Sequence, residues 1–287
     1  MNQEWLNQLP IQNIKKCILV RGGDVNEAFR IETKDDIYFL LVQHQRSEDF
    51  YDAEVAGLEA FQEAGVRAPI VKGRGEINSD AYLILSYLEE GRSGSQRELG
   101  KLVAKLHSHH EPSGKFGFHL PYHGSAITFE NGWQETWTNI FVEQRLDQLR
   151  NEIVKQHLWT EEEQRKFEQV REIIVDTLEN HNSKPSLLHG DLWAGNYMFL
   201  DNGEPVLFDP SPLYGDREFD LGATRVFGGF TKDFYDAYNE SLPLSKGAEF
   251  RIQFYELYLL MVHLVKFGEM YAGSVNRTMN DILEAHI

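Results

Sequence analysis

Residues 187–210, LLHGDLWAGNYMFLDNGEPVLFDP, gather groups suited to phosphoryl chemistry in one short stretch. Asp201, Asn202 and Gly203 form a turn signal, and the short apolar and aromatic segments Tyr197 to Leu200 and Pro205 to Phe208 flank it, so the region reads as a hairpin. Pairing centred on Asn202 and Gly203 sets Leu200 against Pro205 and Asn196 against Asp209. Such a hairpin delivers an amide oxygen and a carboxylate to one spot. Two hard oxygen donors beside an open loop suit a magnesium ion that keeps its other positions for water and phosphate. Asp191 stands five residues before Asn196, and a carboxylate near such an ion but free of it can accept the proton of an attacking hydroxyl.

The spacing from Asp191 to Asn196 and on to an Asp beyond a short hairpin is that of the protein-kinase catalytic loop and its metal-binding Asp. Gly190 stands where that pattern has Arg, which argues against control by activation-loop phosphorylation. His189-Gly190-Asp191-Leu192-Trp193, Gly195-Asn196, Phe208-Asp209-Pro210 and Tyr214-Gly215-Asp216-Arg217-Glu218 with Asp220-Leu221 together resemble the fructosamine kinase (ketosamine 3-kinase) family. Aminoglycoside and choline kinases share the broader His-Gly-Asp loop. Trp193 and the Gly-Asp-Arg-Glu run make the resemblance particular to fructosamine kinases.

The 287 residues, 41% of them hydrophobic, suffice for one large domain or two lobes sharing a cleft. The N-terminus lacks the basic start and apolar run of a signal peptide and no segment approaches a membrane span, so a cytoplasmic protein is expected. Cys17 is the only cysteine, which excludes an internal disulfide and points to an inert thiol. The formal net charge of -17 opposes binding to nucleic acid or anionic membranes and favours a small or cationic substrate.

In chain order, Trp5 to Leu9 reads as a short helical piece and Ile14 to Val20 as the start of the first strand. Gly22 and Gly23 form a turn before Asn26-Glu27-Ala28, where backbone N–H groups can approach phosphate. Residues 37–43, IYFLLVQ, read as a buried strand and Phe50 to Ala64 as a helix carrying Glu54. Kinase-like folds pair the Glu of this helix with a strand Lys, and the resemblance would put that Lys at position 41, where this chain has Leu41. Lys34 and Arg30 are the nearby candidates to replace it, weaker nucleotide affinity is expected, and Glu54 is left either hydrogen-bonded elsewhere or close to the metal.

Residues 81–88, AYLILSYL, read as a strand whose end, Ser86, Tyr87 and Leu88, offers backbone groups to an adenine edge. Glu89 to Ser95 is a polar, glycine-rich, flexible connector. Glu98 to Ser108 has helical period, and His107, His109 and His110 beyond it read as exposed or capping imidazoles. Helices are expected from Trp133 to Gln156, from Thr160 to Asn180 and over the apolar stretch Arg251 to Leu264. Phe129 replaces the Gln that the family carries before Asn131, and Arg217 with Asp216 or Glu218 reads as an ion pair or a substrate clamp.

The fold expected is α+β and protein-kinase-like, with a small antiparallel-sheet lobe over 1–88, which binds nucleotide, and a mainly helical catalytic and substrate lobe over 89–287. The resemblance implies an ATP- and Mg2+-dependent kinase acting on the sugar 3-hydroxyl of ketosamines such as glycated lysine. In that scheme Asp191 is the base, Asn196 and Asp209 hold the metal, and Gly22 and Gly23 cover the phosphates. Trp193, with Asp216 and Arg217, lies toward the sugar. A disulfide-linked dimer through the glycine turn is not expected, since Asp24 occupies it. Two other readings are a kinase for another hydroxylated amine and a nucleotide-binding protein with little catalysis.

Overall fold

The computed structural model describes residues 2–20, 26–123 and 127–286. The chain forms two compact units, Met1–Ser95 with Tyr197–Pro210, and Gln96–Asn196 with Ser211–Ile287. The first boundary falls at residue 95 where the sequence pointed to 88, and the hairpin groups with the first unit.

The first unit opens with α1 (Gln3–Leu6), capped by the Asn2 side chain, which accepts from Trp5 N–H at 2.8 Å. Strands β1 (Lys16–Val20), β2 (Glu27–Glu32) and β3 (Ile37–Gln43) form a meander. A 3-10 turn, Glu48–Tyr51, leads into α2 (Asp52–Glu63). Strands β4 (Val71–Ile77) and β5 (Asp80–Ser86) follow, joined by Asn78 and Ser79, both at positive φ as a tight two-residue hairpin requires. The antiparallel order is β1-β2-β3-β5-β4. One face buries Phe29, Ile31, Leu40, Val42, Tyr82 and Ile84 under Trp5, Leu6 and Leu9. Side chains alternate across a strand, so Leu41 lies on the opposite face, with Ala28 and Leu83 as its cross-strand neighbours.

The second unit begins with α3 (Gln96–His107) and a small ladder of β6 (Tyr122–His123) and β7 (Thr128–Phe129). A π-helical stretch, Asn139–Leu146, runs into α4 (Asp147–Lys155), so regular helix starts later than the expected Trp133. Helix α5 (Glu161–Glu179) matches expectation because Thr160 and Glu163 cap each other reciprocally. Then comes β8 (Ser186–Leu188). Strands β9 (Tyr197–Phe199) and β10 (Pro205–Leu207), which belong to the first unit, form the expected hairpin. Back in the second unit, β11 (Leu213–Gly215) pairs with β8. Helices α6 (Glu218–Val226), α7 (Lys232–Ser241), α8 (Ala248–Phe267) and α9 (Ala272–Ala285) complete it. Helix α8 buries Ile252, Phe254, Leu257, Met261 and Leu264 and packs on α4, α5, α6 and α9.

The hairpin register differs by one residue from the sequence expectation. Tyr197 pairs with Leu207 and Phe199 with Pro205, and Leu200 N–H donates to Glu204 O at 2.9 Å, so the loop has three residues and not two. Gly203, at φ +80, supplies the left-handed residue such a loop needs. The ladder therefore does not set Asn196 opposite Asp209. The connector Glu89 to Ser95 is also not free. Gly91 N–H donates to Phe199 O at 2.7 Å, and a Cβ on Gly91 or Gly94 would lie 2.3 Å from Leu200 O or 2.1 Å from the Phe199 ring. These glycines serve close approach to the hairpin.

Candidate active site

In the second unit, β8 delivers the loop from His189 to Asn196. Its backbone is held from beneath by Asp220, near the start of α6, whose carboxylate accepts from His189 N–H at 2.7 Å and Gly190 N–H at 3.0 Å. His107 Nε2 lies 3.0 Å from the same carboxylate, and its Nδ1 lies 2.8 Å from Tyr238 OH. His107 and Asp220 are fully buried. The expectation of an exposed or capping His107 is thus corrected, since its place in the period of Leu99, Val103 and Leu106 turns it inward. Gly190 sits at φ +82, and a Cβ there would come 1.7 Å from Ser211 O. Steric necessity explains why no Arg stands at this position.

Asp191 and Asn196 meet as the motif demands. The Asn196 amide nitrogen donates to Asp191 O at 2.8 Å and to an Asp191 carboxylate oxygen at 3.1 Å. With its nitrogen fixed on Asp191, Asn196 has its side-chain oxygen as the group suited to a hard cation. Trp193 is 43% exposed, and its indole folds over Gly195, where a Cβ would lie 2.3 Å from the ring. This leaves an aromatic surface two residues from Asp191.

Asp216 and Arg217 are committed to the fold. Asp216 is buried and accepts from Glu218 N–H at 2.9 Å and Tyr255 OH at 3.1 Å, with His181 Nε2 at 3.3 Å. Burial pushes its carboxyl up, but these bonds and the imidazole together hold it below the ordinary value. Arg217 donates to Leu242 O and Pro243 O, both at 2.6 Å. The expected ion pair to Glu218 comes instead from Arg251, bidentate at 2.7 and 2.8 Å. Substrate contact by Asp216 or Arg217 would require breaking these bonds. Phe129 likewise belongs to the interior, with the guanidinium of buried Arg145 over its ring at 5.4 Å.

In the first unit, Asp209 follows the hairpin at φ +55, an uncommon backbone conformation for a non-glycine residue. The strand leading to it is pinned by Leu207 N–H donating to Arg67 O at 3.1 Å. Glu54 lies in the first turn of α2. Desolvation first, and the Asp209 carboxylate second, push the half-buried Glu54 up to about 8, and desolvation also raises Asp209, although that residue is exposed. Buried Tyr51 feels both carboxylates, yet its hydroxyl donates to Asn26 Oδ1 at 3.1 Å. Arg30 does not replace the absent lysine, because it pairs with Glu32 and lies over the Tyr87 ring at 5.0 Å. Lys34 sits exposed in the turn before β3. Strand β5 ends at Ser86, whose N–H donates to Ile70 O at 2.8 Å, so of the expected adenine-reading groups only those of Tyr87 and Leu88 lie beyond the ladder. Gly22 and Gly23 fall outside the described residues.

A five-stranded antiparallel sheet unit, a mainly helical unit and a loop joining Asp191 to Asn196 define a protein-kinase-like phosphotransferase. A structure from Thermobifida fusca, described as that of a fructosamine-3-kinase candidate, has a TM-score of 0.84 at 25% identity, covering 94% of each chain. The fructosamine kinase family model matches residues 1–285. The chain belongs to the fructosamine kinase family. A "Probable ketoamine kinase" of Staphylococcus aureus is 60% identical over 284 residues, 99% of each chain. The chloroplastic protein-ribulosamine 3-kinase of Arabidopsis thaliana is 31% identical over 286 residues, 98% of this chain and 87% of that protein.

Proposed function

We propose that this kinase transfers the γ-phosphate of ATP to the 3-hydroxyl of ketosamines, sugars attached through an amine such as a lysine side chain. The observation that carries the reading is the Asn196 amide fixed across the main-chain and carboxylate oxygens of Asp191, in a loop whose backbone hangs on Asp220. The names of the bacterial and plant relatives support the substrate class. Asp191 accepts the proton of the sugar hydroxyl as its oxygen bonds to phosphorus and the bond to ADP breaks. The Asn196 bond to the carboxylate keeps that oxygen oriented. Asn196 and Asp209 each carry an oxygen that suits magnesium, whose contribution would be to offset charge on the phosphates. Trp193 flanks the sugar, and the backbone of Tyr87 and Leu88 reads the adenine.

Phosphorylation at the 3-hydroxyl makes the adduct unstable and frees the amine, which gives the activity a deglycating role. An acidic protein suits an amine-bearing substrate. A second reading, nucleotide binding with weak catalysis, is favoured by Leu41 and by the commitment of Arg30 elsewhere. The deciding experiment assays phosphate transfer from ATP with magnesium to ribulosamine, fructosamine, an aminoglycoside and choline. Transfer to a ketosamine is expected, with Asp191→Ala slower by roughly a hundredfold or more. Transfer to the aminoglycoside or choline alone would replace the substrate assignment, and no transfer to any acceptor would favour the second reading.

A further inference from the structure

The C-terminal end of α8 gathers aromatic side chains that the transfer step does not use. The helix stops at Phe267, and Gly268, at φ +76, leads into a 3-10 turn, Gly268–Tyr271, that brings Tyr271 back beside the last turn. His263 is the common neighbour. Its ring centroid lies 4.6 Å from that of Phe227, just past the end of α6, 5.5 Å from Phe267 and 5.1 Å from Tyr271. Phe227 is 42% exposed and Phe267 48%, so the group offers contiguous ring surface to solvent.

His263 is fixed in one tautomer. Its Nδ1 lies 2.9 Å from Leu259 O, and a carbonyl only accepts, so Nδ1 carries the proton and Nε2 keeps its lone pair. Among the described residues nothing bonds Nε2. Desolvation, the largest influence, and the charge of Lys266 outweigh the Leu259 bond and hold the imidazole below its ordinary value, so it is neutral near pH 7.

A neutral acceptor among aromatic rings suits an ammonium carried on an apolar stem. The ring faces attract the charge, the lone pair takes an N–H, and ring surface covers methylenes. The chain supplies an example of this chemistry, since Lys266 lays its Nζ over the Phe267 ring at 4.9 Å. Lys266 is exposed, so a ligand of the same kind can displace it. Helix α8 also ties the group to the loop from His189 to Asn196. Tyr258 packs on Phe219 at 5.1 Å, and the next residue, Asp220, accepts from the His189 and Gly190 N–H groups. His263 stands further along α8 than Tyr258 by about 7.5 Å of helix rise.

We propose that Phe227, His263, Phe267 and Tyr271 form a box for the amine side of the substrate, an alkylammonium, with the rings against its stem and His263 Nε2 accepting an ammonium N–H. The proposal rests on the ketosamine reading, in which the sugar hydroxyl reacts at Asp191 and the amine side extends away from it. Lys266 is then a competitor held by the chain itself.

The test is isothermal titration of the full-length protein, without nucleotide, with N-fructosyl butylamine as the probe and fructose as the control that lacks the amine. The parent should bind the probe about tenfold or more tighter than fructose. Phe267→Leu keeps an apolar side chain at an exposed position and removes the ring face, and should weaken probe binding by about fivefold. His263→Ala should weaken it by about tenfold, through loss of the acceptor. Lys266→Met should tighten it by about threefold, because a competing like charge is gone. Probe affinities of Phe267→Leu and His263→Ala within about twofold of the parent's, a Lys266→Met protein that binds more weakly than the parent, or a parent that binds probe and fructose alike would each overturn the proposal. Phosphorylation assays on the same preparations keep the two ideas apart. Transfer to the probe with binding indifferent to Phe267 and His263 sinks only the box, whereas box-dependent binding without transfer to any ketosamine sinks only the kinase reading.

Discussion

Gly190 shows how a residue choice can be forced by geometry next to Asp191, the base proposed above. Its φ of +82 and the 1.7 Å approach of a hypothetical Cβ to Ser211 O leave no room for a side chain. Gly190→Ala is expected to lose about 1–3 kcal/mol of stability, read by urea unfolding, and to displace Asp191 enough to lower kcat. Asp216 supplies a pH-dependent counterpart. Its carboxyl is held below the ordinary value of 3.8, so its bonds stabilise the fold above that pH and the contribution fades as pH falls through it. Tyr255→Phe removes one of those bonds. Urea unfolding of parent and variant should therefore differ most near neutrality and converge as the pH is lowered past about 3.8. The neighbouring Arg251 to Glu218 pair explains why Arg217 was free to serve backbone carbonyls, which no local reading of Asp-Arg-Glu shows.

At the level of elements, the loop from His189 to Asn196 is secured by a contact between helices distant in sequence. His107 on α3 reaches Asp220 on α6 and Tyr238 on α7, and Asp220 in turn holds the loop backbone. His107→Ala would leave buried polar groups without partners, at a cost of about 2–3 kcal/mol by denaturant titration. The loss should appear in kcat more than in KM, because the loop geometry suffers and the substrate groups do not. His107→Gln, which restores a hydrogen-bonding group, should recover part of both. The helices themselves were legible: the Thr160 to Glu163 capping box fixes where α5 starts, and its apolar period fixes which face is buried. The hairpin was legible as a hairpin but not in its register. An Asp-Asn-Gly turn admits loops of two or three residues, and the contacts of Gly91 with Phe199 and of Leu207 with Arg67 accompany the three-residue form.

Across the whole molecule, the formal charge of -17 sets a background of self-repulsion. Screening relieves it, so Tm should rise as NaCl is increased from near zero to about 0.2 M. A protein whose Tm is flat or falls over that range would show that its surface pairs, such as Arg225 with Glu249, already outweigh the net excess. What the amino-acid order determined by itself was local and periodic. It named the sheet and the helical region, the pairing of Asp191 with Asn196, and Leu41 on its strand, because turn chemistry, apolar period and motif spacing are written in neighbouring residues. Tertiary structure decided which polar groups end up spoken for. Asp216, Arg217 and Ser86 all carry groups suited to a ligand, yet partners far along the chain, Tyr255, Leu242 and Ile70, occupy them. The physical reason is that a hydrogen bond or ion pair depends on distance in space, and only the folded chain brings residues 31 or more positions apart, such as His189 and Asp220, within 3 Å.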